Sequence, residues 1–236
     1  MNKQFKYLLK KPMGYKDSMN LYQAFNMNGF NYVDPMGRTI IVEKSFRKDW
    51  KRIKNYLTSN SDLARTVIKF LELPKFKIYL YDLPNEQAYA YLEKARVNLL
   101  IYDEKTKAKY SGKDVVLIDS KTVIRVFDEK TFKEIGYQSV ALSLMHELLH
   151  AFHEKTINEL YSTGLAKEYS PSSPFYKWHN PEEKRTVAQE SIIANDLGEV
   201  VRTYYKLLDK NNKIIKNTPE EAFITVNGVL EHKNLK

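Results

Sequence analysis

The five residues HELLH, at positions 146–150, combine residue types that can carry out hydrolysis. On an α-helix, residues four positions apart lie on one face, about 6 Å apart along the axis. His146 and His150 can therefore hold one metal ion from the same side. Zinc lowers the pKa of a bound water to about 7, and a neighbouring carboxylate can take its proton. The pattern predicts a zinc-dependent hydrolase in which Glu147 is the general base and not a ligand.

The alternative is a core helix that carries two histidines by chance. Apolar residues around the motif do predict a buried helix face. They are Leu142, Met145, Leu148, Leu149 and Phe152. The chain has only five histidines, however, and at that composition a chance HExxH has a probability on the order of one in a hundred. This rarity favours the metal site.

A catalytic zinc takes three protein ligands and keeps one position for water. The chain has no cysteine, so the third ligand must be a histidine or a carboxylate. In PEEKRTV, Asn180 is expected to be the N-cap of a helix and Pro181 its first residue. Glu182 and Glu183 then fall in the first turn. Either could bind the metal, or Glu183 could close a capping box with the Asn180 amide, and the spacing leaves these alternatives open.

Other candidates for the third ligand are weaker. His153 shares the face of His146 but lies about 4.5 Å beyond His150 along the axis, so we expect it to support the site or to lie at the surface. Glu190 is the reserve candidate, further along the same helix as Glu183. The remaining candidates are His179, Asp196 and His232.

The elements that must position these residues follow from periodicity and turn signals. Residues 1–40 are expected to be loop-rich, and Ser61 to be an N-cap. The predicted helices span 45–57, 61–73, 139–155, 180–196 and 198–208, and the predicted strands span 76–82, 97–103, 114–120 and 122–128. The order helix, sheet, helix predicts a single α+β domain over 1–236, with the catalytic helices in 139–208.

Composition limits the class of protein. The net charge is +9, which favours acidic partners, but the lysines are scattered and no nucleic-acid motif occurs, so we expect no nucleic-acid partner. No window is apolar enough to span a membrane. The N-terminal stretch is not a Sec signal peptide, so any secretion would use a route without a cleaved signal. We expect a monomer.

Three stretches in order, HELLHAFHE, EEKRTV and RTYY, resemble the NleD-like effector metalloproteases of bacteria. The same pattern is similar to the light chains of clostridial neurotoxins. The resemblance covers about residues 139–205. It implies a zincin-like metalloprotease domain with a small β-sheet and an HExxH active-site helix.

The resemblance also implies a role for each matched residue. His146, His150 and Glu183 would bind Zn²⁺, and Glu147 would be the general base. Glu182 would be a carboxylate that orients His150 or the water. Arg202 and Tyr205 would face the scissile carbonyl and stabilise its oxyanion. Without the resemblance, a solvated helix face would explain Arg202 and Tyr205 better.

The function implied is a zinc endopeptidase, a type III effector or toxin secreted without a Sec signal. It would act as a virulence factor in the host cell cytosol. Its partner would be a protein substrate, by resemblance a host signalling protein such as a stress-activated MAP kinase. The alternative is a non-catalytic binding protein with a structural zinc or a basic docking surface. The presence of Glu147 argues against it, because a structural site needs a fourth protein ligand and no base.

Overall fold

The computed structural model describes residues 40–82, 90–92, 112–208, 214–217 and 224–225. All of them belong to one compact unit, Met36–Lys236. The loop-rich segment predicted over 1–40 falls almost entirely outside the described residues, as do the strand predicted over 97–103 and His232. The single-domain assignment stays a prediction.

The described elements are a mixture of helices and strands, which confirms the predicted α+β class. In chain order they are β1 (Ile40–Val42), α1 (Arg47–Asn60), α2 (Asp62–Leu71), β2 (Ile78–Asp82), β3 (Ala90–Leu92), β4 (Asp114–Ile118), β5 (Thr122–Phe127), β6 (Glu134–Gln138), α3 (Val140–Ala166), the 3₁₀ helix η1 (Tyr176–Trp178), α4 (Pro181–Leu197), β7 (Lys206–Leu208), β8 (Ile214–Asn217) and β9 (Ile224–Thr225). None of the described helices combines the length and apolarity needed to cross a membrane.

A four-stranded sheet with the order β1-β2-β4-β3 packs against the helix that carries HELLH. β1, β2 and β4 run parallel, and β3 pairs antiparallel with β4 at the edge, with Tyr91 opposite Val116. Every residue of β4 is buried, as expected for a strand covered on both faces. β3 and β4 both pack against α3.

Helix α3 carries HELLH and is longer than the predicted 139–155. Ser139 caps it by accepting a hydrogen bond from the Leu142 N–H at 3.1 Å. The backbone at Ile157 is non-helical (φ −136°, ψ 45°), so the helix kinks there. All residues from Val140 to Glu154 are buried. The motif therefore lies in a rigid part of the core, which fixes the direction of its side chains.

The carboxylate of Glu199 anchors the start of α3. It accepts hydrogen bonds from the Ser139 N–H at 2.8 Å and the Ser139 hydroxyl at 2.7 Å. The Tyr56 hydroxyl on α1 donates to the same carboxylate at 2.9 Å. An anionic group at a helix N-terminus is also favoured by the helix dipole. Glu199 thus joins the start of the helix that carries HELLH to α1.

The predicted helix over 198–208 is wrong, so the helices predicted to be catalytic end at Leu197 and do not continue to 208. Gly198 adopts the left-handed conformation (φ 66°) at the end of α4, and its N–H bonds to Ala194 and Asn195. Glycine at this position ends helices because it lacks a Cβ. The chain then runs irregularly to β7. Arg202 and Tyr205 therefore project from an irregular segment and not from one helix face.

Candidate metal centre

His146, His150 and Glu183 converge, and all three are buried. The Nε2 atoms of the two histidines are 3.2 Å apart. Glu183 Oε2 lies 3.3 Å from His146 Nε2, and its Oε1 lies 3.5 Å from His150 Nε2. The sequence separation of 33 residues between His150 and Glu183 is closed by the packing of α4 on α3.

These distances fit one zinc ion. Bonds of 2.0–2.1 Å in a tetrahedral arrangement place neighbouring ligand atoms about 3.3–3.4 Å apart. Within the part of the chain that the structure describes, the group of possible metal ligands has these three members. Two imidazoles and one carboxylate form a donor set typical of catalytic zinc, which keeps its fourth position for water.

The first turn of α4 places Glu183 at the histidines. Asn180 is the N-cap as predicted, accepting from the Glu183 N–H at 2.8 Å, and Pro181 opens the helix. The capping-box alternative is not formed, because the Asn180 N–H donates to the Trp178 carbonyl at 2.7 Å. The Glu183 carboxylate is therefore available for a metal ion.

Glu190 supports His146 from the Nδ1 edge of its ring. His146 Nδ1 and Glu190 Oε2 are 2.5 Å apart, and Arg202 Nη2 lies 2.7 Å from the same oxygen. Gln138 donates to Glu190 Oε1 at 2.6 Å. Burial alone would raise the pKa of Glu190, but Arg202 and His146 lower it to about 2. An ionised Glu190 accepts the Nδ1 proton and leaves Nε2 free to bind metal.

Glu182 supports His150 in the same way. Its Oε1 lies 3.2 Å from His150 Nδ1 and 2.6 Å from His153 Nδ1. Burial works against ionisation, but His153 and His150 hold the pKa of Glu182 well below its usual range. His153 is buried, and its Nε2 lies 3.0 Å from Gln189 Oε1. It supports Glu182 and is not placed as a ligand.

Glu147 points from α3 to the side of β3 that faces away from β4. Its Oε2 accepts a hydrogen bond from the Tyr91 N–H at 2.7 Å. Burial raises the pKa of Glu147, and the nearby charges of His146 and His150 oppose this shift only in part. A carboxylate with a raised pKa is a stronger base. The backbone of β3 thus orients a group suited to proton transfer.

Arg202 and Tyr205 occupy different environments. The Arg202 guanidinium is buried at the Nδ1 edge of His146, bonded to Glu190. Burial lowers the pKa of Arg202, but Glu190, Tyr205 and Glu183 raise it above its usual value. Tyr205 is half-buried, and its ring stacks on His179 with centroids 6.0 Å apart. Tyr205 is therefore the more exposed of the two residues.

The other ligand candidates lie elsewhere or serve other contacts. Asp196 accepts a hydrogen bond from the Ser61 hydroxyl at 2.7 Å, which joins the end of α4 to the N-cap of α2. The sequence offers Glu190 as a reserve ligand, but the structure places it at the Nδ1 edge of His146. The contact of Glu147 with Tyr91 was missed in the sequence, because no local signal links residues 56 positions apart.

Zinc binding is expected to weaken as the pH falls from 8 to 6. Burial opposes protonation of His146, but its hydrogen bonds to Glu183 and Glu190 raise its pKa to about 9 without a metal ion. Burial also lowers the pKa of His150, but the nearby carboxylates of Glu183 and Glu182 raise it well above its usual value. Zinc must displace these protons. The dissociation constant for zinc should therefore rise about tenfold for each unit by which the pH falls and for each proton released. Titration calorimetry in buffers of different ionisation enthalpy measures how many protons are released when zinc binds. A zinc affinity that does not change between pH 8 and pH 6 would contradict the raised pKa values.

His179 forms a tight turn that leads the chain into α4. Its backbone angles (φ 65°, ψ −63°) and the hydrogen bond from the Asn180 N–H to the Trp178 carbonyl define a γ-turn with positive φ. This turn is rare and strained for residues other than glycine, at a cost of about 1–3 kcal/mol. The turn brings the His179 ring against Tyr205 and leads directly into the helix that bears Glu183.

Comparing two substitutions at position 179 tests this strain. His179→Gly and His179→Ala both remove the ring, but only glycine adopts the turn freely. We expect the glycine variant to have the larger free energy of unfolding, by about 1 kcal/mol. At unstrained positions alanine is the more stable by about 0.4–1 kcal/mol. Denaturant unfolding of both zinc-loaded variants measures the difference, and a more stable alanine variant would show that the turn is not strained.

No family model and no curated protein matches the chain. Among solved structures, it is similar to the crystal structure of the Salmonella zinc metalloprotease effector GtgA, with 12% sequence identity and a TM-score of 0.43. The match covers 83% of this chain and 98% of that chain. A likeness of this degree establishes neither the fold family nor the activity, so function follows from the site itself.

Proposed function

We propose that this chain is a zinc-dependent endopeptidase with a zincin-like catalytic domain. The observation that supports it most is the close approach of two histidine Nε2 atoms, 3.2 Å apart, and the two Glu183 oxygens, one 3.3 Å from His146 and the other 3.5 Å from His150. The buried carboxylate of Glu147 lies on the same helix and is not in this group. His146, His150 and Glu183 would hold the ion. When bound, zinc would acidify a water molecule and polarise the substrate carbonyl.

The chain's own residues would carry the protons and orient the substrate. Glu147 takes a proton from the attacking water and then gives it to the leaving amine. Tyr205 donates a hydrogen bond to the oxyanion that forms on the carbonyl. Arg202 acts through Glu190, which holds His146, and its positive charge lies near Tyr205. This differs from direct contact of Arg202 with the carbonyl, the role implied by the resemblance.

The edge strand β3 favours an extended peptide as the substrate. The N–H of Tyr91 points away from β4 and towards Glu147. A peptide that lies along this edge would bring a backbone carbonyl next to the base, because edge strands accept extended chains. By resemblance to the NleD-like effectors, the substrate would be a host signalling protein, a stress-activated MAP kinase among them, and the protease would act in the host cell cytosol after secretion without a cleaved Sec signal.

New protein N-termini in a eukaryotic cell lysate test the proposal. Wild type and Glu147→Gln would be added in parallel, each with its zinc content measured. A short set of N-termini found only with the wild type would establish proteolysis and name both the substrate and the bond. Identical sets in lysates of several cell types, with zinc bound to both proteins, would contradict it. The non-catalytic alternative, a binding protein with a structural zinc or a basic docking surface, would then be preferred.

A further inference from the structure

The segment between α3 and α4 presents aromatic rings beside lysines. Phe175 is 41% exposed, and its ring lies 5.5 Å from Tyr169 and 6.2 Å from Trp178, measured between centroids. Exposed aromatic groups in contact with one another are typical of interaction sites. We call the following set the aromatic–lysine surface: Tyr169, Phe175, Tyr176, Trp178, Lys184 and Lys206.

The two lysines of this surface are held by rings. Lys184 Nζ lies 3.9 Å from the centroid of Phe175 and 5.2 Å from that of Trp178. Lys206 Nζ lies 4.5 Å from the centroid of Tyr176. A cation–π contact fixes an ammonium group without neutralising its charge. Lys177 differs, because Glu129 neutralises it at 2.8 Å.

The aromatic–lysine surface adjoins the metal centre. Lys184 directly follows Glu183 in the first turn of α4. The Tyr205 N–H donates to the Lys177 carbonyl at 2.8 Å, next to Tyr176 and Trp178 in η1. Lys206 follows Tyr205 at the start of β7. A peptide bound at the zinc and Tyr205 would therefore reach this surface with residues on one side of the scissile bond.

We propose that the aromatic–lysine surface binds an acidic segment of the protein substrate, on one side of the bond that is cut. The inference rests on the proposed endopeptidase function. Fixed ammonium groups complement carboxylates, and the adjacent rings can cover the aliphatic part of the same segment. The net charge of +9 would steer an acidic segment in the same direction.

Cleavage of a proteome-derived peptide library tests this preference directly. The zinc-loaded wild type is compared with Lys184→Glu/Lys206→Glu, and the frequency of each residue around the cut bond is recorded. The wild type should favour Asp and Glu on one side, by roughly two- to fivefold for each acidic residue. The double variant should lose this preference and shift towards Lys and Arg. Lys48→Glu/Lys51→Glu is the matched control, with the same change of charge at exposed positions of α1, and it should keep the acidic preference.

The outcomes separate the two proposals. Cleavage by the wild type without acidic preference, or with the same preference in the Lys184→Glu/Lys206→Glu variant, overturns the inference and leaves the endopeptidase standing. No cleavage of any peptide by the zinc-loaded wild type overturns both. Salt-dependent binding of a single-stranded oligonucleotide that is lost in the Lys184→Glu/Lys206→Glu variant would assign the surface to nucleic acid and would also overturn the inference.

Discussion

Glu147→Gln should lower kcat/KM by about 10²–10⁴-fold, because an amide cannot accept the proton that a general base removes. The zinc content should equal that of the wild type, since Glu147 is not one of the three possible ligand residues. The Gln amide can still form a hydrogen bond with the Tyr91 N–H through its oxygen, so the local fold should be kept. The measurement is the rate of cleavage of the bond identified in lysate, with zinc determined by mass spectrometry.

Glu154→Gln is the matched control for this prediction. Glu154 is a buried glutamate on the same helix, and it accepts a hydrogen bond from the Tyr91 hydroxyl at 3.3 Å. The same chemical change there should leave kcat/KM within about tenfold of the wild type, because Glu154 is not among the possible metal ligands and pairs with Lys155. If Glu147→Gln retained activity at that level, Glu147 would not be the base.

Glu183→Gln and Glu182→Gln should differ sharply in zinc affinity, although the two residues are neighbours. Glu183 contributes oxygens 3.3 Å and 3.5 Å from the histidine Nε2 atoms, so its loss removes a ligand. Glu182 contacts the Nδ1 edge of His150 and acts on its orientation. Loss of such a supporting group lowers metal affinity by about 10–100-fold. The loss in Glu183→Gln should be greater than that range.

Competition with a chromophoric chelator measures both affinities on one scale. Thermal unfolding of each variant without zinc shows whether the fold persists, because Glu182 also bonds His153 and Thr186. The reverse order of affinities would assign the third ligand to Glu182. Equal losses would mean that neither carboxylate binds the ion directly.

Local signals predicted the parts of the site that lie on helices. The HELLH pattern predicts two imidazoles on one helix face, and Asn180-Pro181 predicts the start of α4. Both predictions were possible because helix periodicity and capping depend on neighbours in sequence. Whether Glu183 caps the helix or faces the histidines could not be decided, because both fit the same first turn. The packing of α4 on α3 makes that choice, and spacing within one helix carries no information on it.

The errors arose where tertiary contacts override local preference. The sequence pattern after Gly198 predicts a helix, but the helix ends there, and an irregular segment and a strand follow. On that prediction, Arg202 would lie on an exposed helix face. It is buried beside Glu190, which compensates its charge after the chain has turned at Gly198.

The adjacency of Glu183 and Lys184 in the first turn of α4 couples two binding events. An ion that fixes the Glu183 carboxylate also restrains the backbone that carries Lys184, and a peptide held by Lys184 restrains Glu183 in return. Ordering of a shared segment is a coupling free energy, and such a coupling is reciprocal. Zinc should therefore raise the affinity for substrate by the same factor by which bound substrate raises the affinity for zinc, measured at equilibrium in competition with a chelator.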